Sequence, residues 1–250
     1  MNEPEFAICL SYLGYRDIIT FLKSDTKYKN LIQKYSNIIF KITAQISIVD
    51  EDIKLFRGVQ TMNLSGCENI TDAGLKYLDG VHTLNLCACR KITDEGLKYL
   101  GNVHNIDLSY CNINEGLKYL NNVHTINLMA CYEITDEGLK YFKKICSVNL
   151  TNCSNITDAG LKYLISAQII NLSGCYFITD SGLKNLKNAK DINLTSCYQI
   201  SYLGLKYLKE ASGDIHTINL FCCSITDNGL KYLSRVHTLD FVVILLVTIV

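Results

Sequence analysis

From Val59 to Asp240 the apolar and polar positions fall into one unit that keeps returning, shown whole by Val81 to Leu100, VHTLNLCACRKITDEGLKYL. In its first half Val81, Leu84 and Leu86 are apolar and Asn85, between the two leucines, is polar. That two-residue period predicts a short strand with one buried face. In its second half Ile92, Leu97 and Leu100 are apolar, Thr93 or Asp94 stands where a helix cap belongs, and Asp94 and Glu95 precede Lys98. This pattern predicts a helix of about two turns whose charges suit its dipole. The anchor leucine recurs as Leu64, Leu86, Leu108, Leu128, Leu150, Leu172, Leu194 and Leu220, in steps of 22, 22, 20, 22, 22, 22 and 26 residues. A unit this small has nothing of its own to cover its apolar face, so successive units must stack. The predicted fold class is therefore α/β: a solenoid shaped as a horseshoe, with parallel strands on the concave face and short helices on the convex face.

The chain divides into three stretches, two of which depart from the period. Residues 1–45 form a separate unit, in which Ile8, Leu10, Leu13, Ile18, Phe21, Leu22, Leu31 and Ile32 recur at helical spacings broken by Gly14, predicting two or three short helices. Residues 46–240 carry the repeats, beginning with a degenerate coil in which IVDEDIKLFRGV stands for ITDEGLKYLGNV. Residues 241–250, FVVILLVTIV, abandon the pattern; ten apolar residues fall short of the roughly 20 that a membrane span needs, so they read as a truncated repeat, with a short membrane-dipping anchor as the alternative. Within the array, CNINEGLKYL is short by two residues. KEASGDIHTINL carries extra residues near Ser212 and Gly213, which predicts a bulging loop. Gly74, Gly96, Gly116, Gly138, Gly160, Gly182, Gly204 and Gly229 hold one helical position despite a cost of about 1 kcal/mol relative to alanine, which predicts close packing on the neighbouring coil.

Charge and cysteine content narrow the function. With 24 basic and 24 acidic residues, no whole-chain field draws the protein to nucleic acid or an anionic membrane, and neither is expected as a partner. Eight of the twelve cysteines (Cys67, Cys89, Cys111, Cys131, Cys153, Cys175, Cys197, Cys223) share one repeat position, which predicts a ladder of buried thiols rather than disulfides or a metal site. A reducing compartment, cytoplasm or nucleus, is the expected setting, and MNEPEF carries acids where a secretory leader carries basic residues. His82, His104, His124, His216 and His237 recur at one exposed position, and the carboxylates at helix starts read as capping groups. No catalytic constellation, metal or cofactor is expected, and the chain reads as a non-enzyme.

The motif LxxLxLxxC followed by ITDxGLxxL resembles the cysteine-containing leucine-rich repeat. Pro4 followed by ICLSYLGYRDIITFLKSDTKYKNLI resembles an F-box: a proline, an apolar helix ending in YL at Leu13, Asp17 with Ile18, then Phe21 and Leu22. A short helical unit followed directly by such an array resembles the layout of F-box/leucine-rich-repeat proteins. The resemblance implies a substrate-recognition adaptor of an SCF-type ubiquitin ligase, with Pro4, Ile8, Leu10, Leu13 and Ile18 docking a Skp-type adaptor that leads to a cullin. The alternative that stays open is a stand-alone repeat scaffold or inhibitor, with residues 1–45 capping the solenoid. Either way a protein is the expected ligand of the concave face. The varied and aromatic positions there, Cys87, Ser109, Tyr110, Met129, Tyr132, Thr151, Tyr176, Tyr198 and Phe221, are the expected contacts.

Overall fold

The computed structural model describes residues 48–240 apart from 143, 213, 214 and 235, together with residues 17, 19 and 20, and omits the side chains of residues 227, 230 and 240. The expected amino-terminal helices with Pro4, Ile8, Leu10, Leu13 and Ile18, and the apolar tail 241–250, lie outside the described residues. The chain divides into two units, Met1–Cys131 and Tyr132–Val250.

In the first unit the strands β1 (Thr61–Asn63), β2 (Thr83–Asn85), β3 (Asn105–Asp107) and β4 (Thr125–Asn127) pair in parallel, each with the next. The second unit repeats the arrangement with β5 (Ser147–Asn149), β6 (Ile169–Asn171), β7 (Asp191–Asn193), β8 (Thr217–Asn219) and β9 (Thr238–Asp240). Register follows the sequence period: Leu84 lies opposite Ile106, and Ile170 opposite Ile192. Only the central residue of each of β1 to β8 is buried, as the alternation predicts. Backbone bonding continues past the assigned strands; His104 N–H donates to His82 O at 2.9 Å, and Leu86 N–H to Asp107 O at 2.8 Å. The anchor leucines, the isoleucines of the ITD motif and the ladder cysteines from Cys67 to Cys197 fill the interior of their units.

The segment opposite the strands is shorter than expected. Instead of two turns, most coils make a single turn: α-helical at Asp72–Leu75, Asp136–Leu139 and Asp227–Leu230, and 3₁₀ at Gly96–Tyr99, Glu115–Tyr119 and Gly182–Asn185, whereas Asp158–Leu161 continues into a 3₁₀ turn at Lys162–Leu164 and has the expected two. A 22-residue period must also supply the strand and two crossings, and a narrow 3₁₀ turn fits between close-set neighbours where a long α-helix does not. Among the described residues the one long helix is Tyr202–Ser212. It absorbs much of the extra sequence that the period assigned to a bulging loop. The difference has a local cause: after Gly204 the run LKYLKEA consists almost wholly of strong helix formers, with no further glycine or proline before Gly213.

A carboxylate relay joins consecutive coils. Thr157 caps its own turn, accepting from Ala159 N–H at 3.2 Å, as the motif predicts. Asp136, one coil earlier, does not cap its own helix. Its Oδ1 accepts from Thr157 N–H at 2.9 Å and its Oδ2 from the Thr157 hydroxyl at 2.6 Å. The same pair of bonds joins Asp50 to Thr71, Asp72 to Thr93, Asp158 to Thr179 and Asp180 to Ser201. Asp50 takes part, so IVDEDI is a working first coil. The relay also explains the helical glycine. A Cβ on Gly160 would fall onto Asp136 Oδ1, 3.1 Å from its Cγ and 3.2 Å from Leu139 Cδ1. Most of these glycines thus make room for a neighbouring carboxylate; at Gly116, in the short coil, the obstacle also includes backbone, Asp94 Cα at 2.7 Å and its carbonyl oxygen at 2.8 Å.

Candidate protein-binding face

The outward positions of the strands are shaped by a second side-chain ladder. Asn85 Oδ1 accepts from Cys87 N–H at 2.9 Å, and Asp107, Asn127, Asn149, Asn171, Asn193 and Asn219 do the same for the residue two further on, at 2.9 to 3.1 Å. This is the Asx turn, in which the side chain takes the place of a backbone acceptor. It bends each chain out of the sheet, and the next residue enters the left-handed region: Ala88, Tyr110, Ala130, Asn152, Ser196 and Cys222 at φ of 56 to 62°, with Gly66 and Gly174 at 73 and 72°. A non-glycine residue there costs roughly 1–2 kcal/mol. A backbone bond to the next coil offsets it, as in Ala88 N–H to Ser109 O at 2.8 Å and Ser196 N–H to Phe221 O at 2.8 Å. The asparagine column is therefore structural, a device for turning rather than for recognition.

Within the first unit Cys87 and Met129 are half-buried and Tyr110 is exposed. Ser109 is only 1% exposed, and its hydroxyl donates to Asp107 Oδ1 at 2.5 Å, so it is withdrawn from any outside ligand; the expectation of a contact there is corrected. Asp107 is itself engaged, since Asn127 Nδ2 donates to its Oδ2 at 3.0 Å. Within the second unit Thr151 is half-buried, and its hydroxyl donates to Asn149 Oδ1 at 2.6 Å. The aromatic residues are more available. Tyr132 is 55% exposed, Tyr198 56% and Phe221 43%, and the rings of Tyr176 and Tyr198 stack at 5.9 Å with 2° between their planes. Amide donors from the following coil fix the backbone under these rings: Asn155 Nδ2 to Tyr132 O at 2.7 Å and Gln199 Nε2 to Tyr176 O at 2.6 Å.

Two residues absent from the expected set belong with it. Phe177, 58% exposed, follows Tyr176 and bridges to Thr157 in parallel fashion; Ile169, 48% exposed, opens β6 on its outward side, where β5, β7 and β8 carry Ser147, Asp191 and Thr217. Both were legible as deviations within a repeat column, an isoleucine in a polar column and a phenylalanine where other coils have Asn69, Lys91 and Asn155.

The thiols are structural donors. Cys89 Sγ donates to Leu64 O at 3.0 Å, Cys131 to Leu108 O at 3.0 Å, Cys175 to Leu150 O at 3.1 Å and Cys197 to Leu172 O at 3.1 Å. Cys223 continues the series with Leu194 O at 3.0 Å, while its neighbour Cys222 is exposed. Desolvation pushes the thiols of Cys89, Cys111 and Cys197 up to about 12 and those of Cys67, Cys131 and Cys223 to about 11. Such groups stay protonated and unreactive near neutral pH. Along the start of the strands in the first unit, the rings of His104 and His124 stack at 5.3 Å, and that of His82 lies 5.0 Å from His104, tilted by 36°; Nδ1 of His104 lies 3.0 Å from Asn102 O, and that of His124 2.7 Å from Asn122 O.

Parallel three-residue strands, of which β1 to β7 are each followed by a buried leucine, a buried cysteine and a helical segment, define a leucine-rich-repeat fold. The family model described as Leucine Rich repeat matches residues 59–78 and 214–234. No curated protein matches the sequence. Among solved structures, the internalin inlF of Listeria monocytogenes is similar with a TM-score of 0.51 at 18% identity, over 85% of this chain and 70% of that one. Internalin C2 (inlC2) of the same organism has a TM-score of 0.54 at 20% identity, over 78% and 84% of the two chains. TLR13, in its complex with ssRNA13, has a TM-score of 0.53 at 15% identity, over 76% of this chain and 33% of that one. These likenesses concern the fold. Among the described residues no helix is long and apolar enough to cross a membrane.

Proposed function

We propose that this protein is a non-catalytic scaffold that holds a protein partner through the outward strand face and the aromatic edge beside it. The observation that carries this reading is the exposed aromatic set of the second unit, Tyr132, Tyr176, Phe177, Tyr198 and Phe221, held on a bonded backbone. Aromatic residues kept in place by a rigid frame lose little entropy on binding and are the usual anchors of interfaces. The finer reading makes the scaffold the substrate receptor of an SCF-type ubiquitin ligase, with Pro4, Ile8, Leu10, Leu13 and Ile18 contacting a Skp-type adaptor and, through it, a cullin. Its support is the order of residues within 1–45 and the position of that stretch ahead of the array. Ligase chemistry then resides in the partners, and no residue of this chain acts on a bond.

Affinity purification of the full chain tests both levels. Skp and cullin subunits are expected with the wild type and are lost from Leu13→Asp, which puts an unpaired charge into an apolar docking surface. Retention of the adaptor by Leu13→Asp sinks the F-box reading. Changing Tyr176, Phe177 and Tyr198 to serine should release the remaining protein partner while leaving the adaptor bound; a partner held unchanged by that variant refutes the strand-face site.

A further inference from the structure

The balanced charge of the whole chain conceals a local imbalance. Residues 137–210 carry nine lysines against three aspartates and two glutamates, a local excess of four positive charges, and contain no arginine. Two of those aspartates, Asp158 and Asp180, are engaged by Thr179 and Ser201 in the relay between coils. Five of the lysines lie on the helix side of the second unit, away from the strand face, while Lys190 stands directly before β7. Lys140 closes the turn Asp136–Leu139, Lys162 follows Asp158–Leu161, Lys184 lies within Gly182–Asn185, and Lys206 and Lys209 lie within Tyr202–Ser212. Lys140, Lys162, Lys184, Lys187 and Lys209 are exposed.

The first unit shows how the same column is neutralised where neutrality is kept. Lys54 pairs with Glu51, and Lys98 with Glu95 at 3.2 Å, the glutamate standing three residues before the lysine. In the second unit only Lys140 retains that partner, Glu137 at 2.8 Å; Ala159, Ser181 and Leu203 stand in the place of the glutamate before Lys162, Lys184 and Lys206. Lys206 reaches Glu210 at 3.9 Å, the outer limit of an ion pair. Tyrosine rings hold two of the lysines in line, with Nζ of Lys162 4.7 Å from the centre of the Tyr163 ring and Nζ of Lys184 3.9 Å from that of Tyr207. The result is a row of positioned ammonium groups one coil apart.

We propose that this lysine row is a second docking surface, and that it takes an Asp/Glu-rich segment of a partner protein. Charge complementarity identifies the ligand as anionic, and two features favour carboxylates over a phosphate polymer. Arginine, whose fork grips phosphate in bidentate fashion, is absent from the row. The tyrosine faces on which bases would stack are covered by lysine. The surface is separate from the aromatic edge and stands whether or not that edge binds.

The test measures binding of a fluorescent oligoglutamate peptide to the full chain by anisotropy at low ionic strength, with oligothymidylate and phosphatidylserine vesicles as competing probes. Wild type binds the peptide with an affinity that falls as salt rises. Changing Lys162, Lys184, Lys187 and Lys209 together to glutamine lowers it by about tenfold or more, with the melting temperature unchanged. Lys184→Glu alone gives a second reading at the centre of the row, and Tyr198→Ser leaves peptide binding intact. Peptide affinity unaltered by the quadruple variant overturns the proposal. Tighter binding of oligothymidylate or vesicles than of peptide, lost in the same variant, overturns the assignment to a protein segment.

Discussion

Gly160→Ala tests the relay between coils. The added Cβ falls onto Asp136 Oδ1, and the carboxylate is held on its other side by Thr157 N–H at 2.9 Å and the Thr157 hydroxyl at 2.6 Å. Making room means giving up both bonds. Hydrogen bonds to charged groups contribute about 1.5–3 kcal/mol each, and the lower end suits a half-buried site, so the loss is about 3 kcal/mol. Alanine in place of a helical glycine returns about 1 kcal/mol, leaving a net destabilisation of about 2 kcal/mol. Asp136→Ala alone loses the same two bonds and costs about 3 kcal/mol. In the double variant the clash has gone and only the helix gain is added, so it should be about 1 kcal/mol more stable than Asp136→Ala. The coupling between the two sites is then about 3 kcal/mol, measurable by urea unfolding monitored by circular dichroism at constant m-value. A neutral Gly160→Ala, or additive effects in the double variant, would refute the assignment.

Stability should fall in alkaline solution. A thiol whose folded pKa lies near 12 and whose unfolded pKa lies near 8.5 contributes fully below the lower value and loses its contribution as pH rises toward the upper one, by about 1.4 kcal/mol per pH unit for each thiol. Replacing Cys197 by alanine should reduce the slope of stability against pH by one proton, and an unchanged slope would contradict the burial of that thiol. Cys175→Ala removes the donor to Leu150 O and leaves a small void, costing about 1–2 kcal/mol in urea unfolding. In the native protein iodoacetamide should label Cys222 quickly, whereas Cys89, Cys131 and Cys175 react only at the rate of unfolding; mass spectrometry of timed samples reads the order.

Much of the fold was legible because each coil repeats the same local rules. The leucine spacing gave strand register, the shared cysteine position gave the thiol ladder, and the ITD motif gave the helix cap at Thr71 and Thr157. What escaped depends on residues a whole coil apart. Asp136 looks like a capping group when its own helix is read alone; its partner Thr157 lies 21 residues on, and the Gly160 that accommodates it 24. Helix length was misjudged because apolar spacing reports which side is buried, not how many residues the crossings consume. The left-handed position is hard to read because only Gly66 and Gly174 mark it, while Tyr110, Asn152 and Ser196 adopt it under the pull of the backbone bonds that follow each Asx turn. On the candidate face, Ser109 looked available because a period of two assigns it an outward direction but does not reveal that Asp107 draws it in.

The relay also has a direction. Thr71, Thr93, Thr157, Thr179 and Ser201, each at the start of a helical turn, are held by an aspartate from the coil before, and each ladder thiol from Cys89 onward whose bond is described donates to a leucine carbonyl of the coil before it. A coil without its predecessor therefore lacks both side-chain anchors, whereas a coil without its successor keeps its own. Assembly of such an array is vectorial. During synthesis, which releases the amino-terminal coils first, every new coil meets acceptors already in place, and the order of translation coincides with the order in which these side-chain bonds can close.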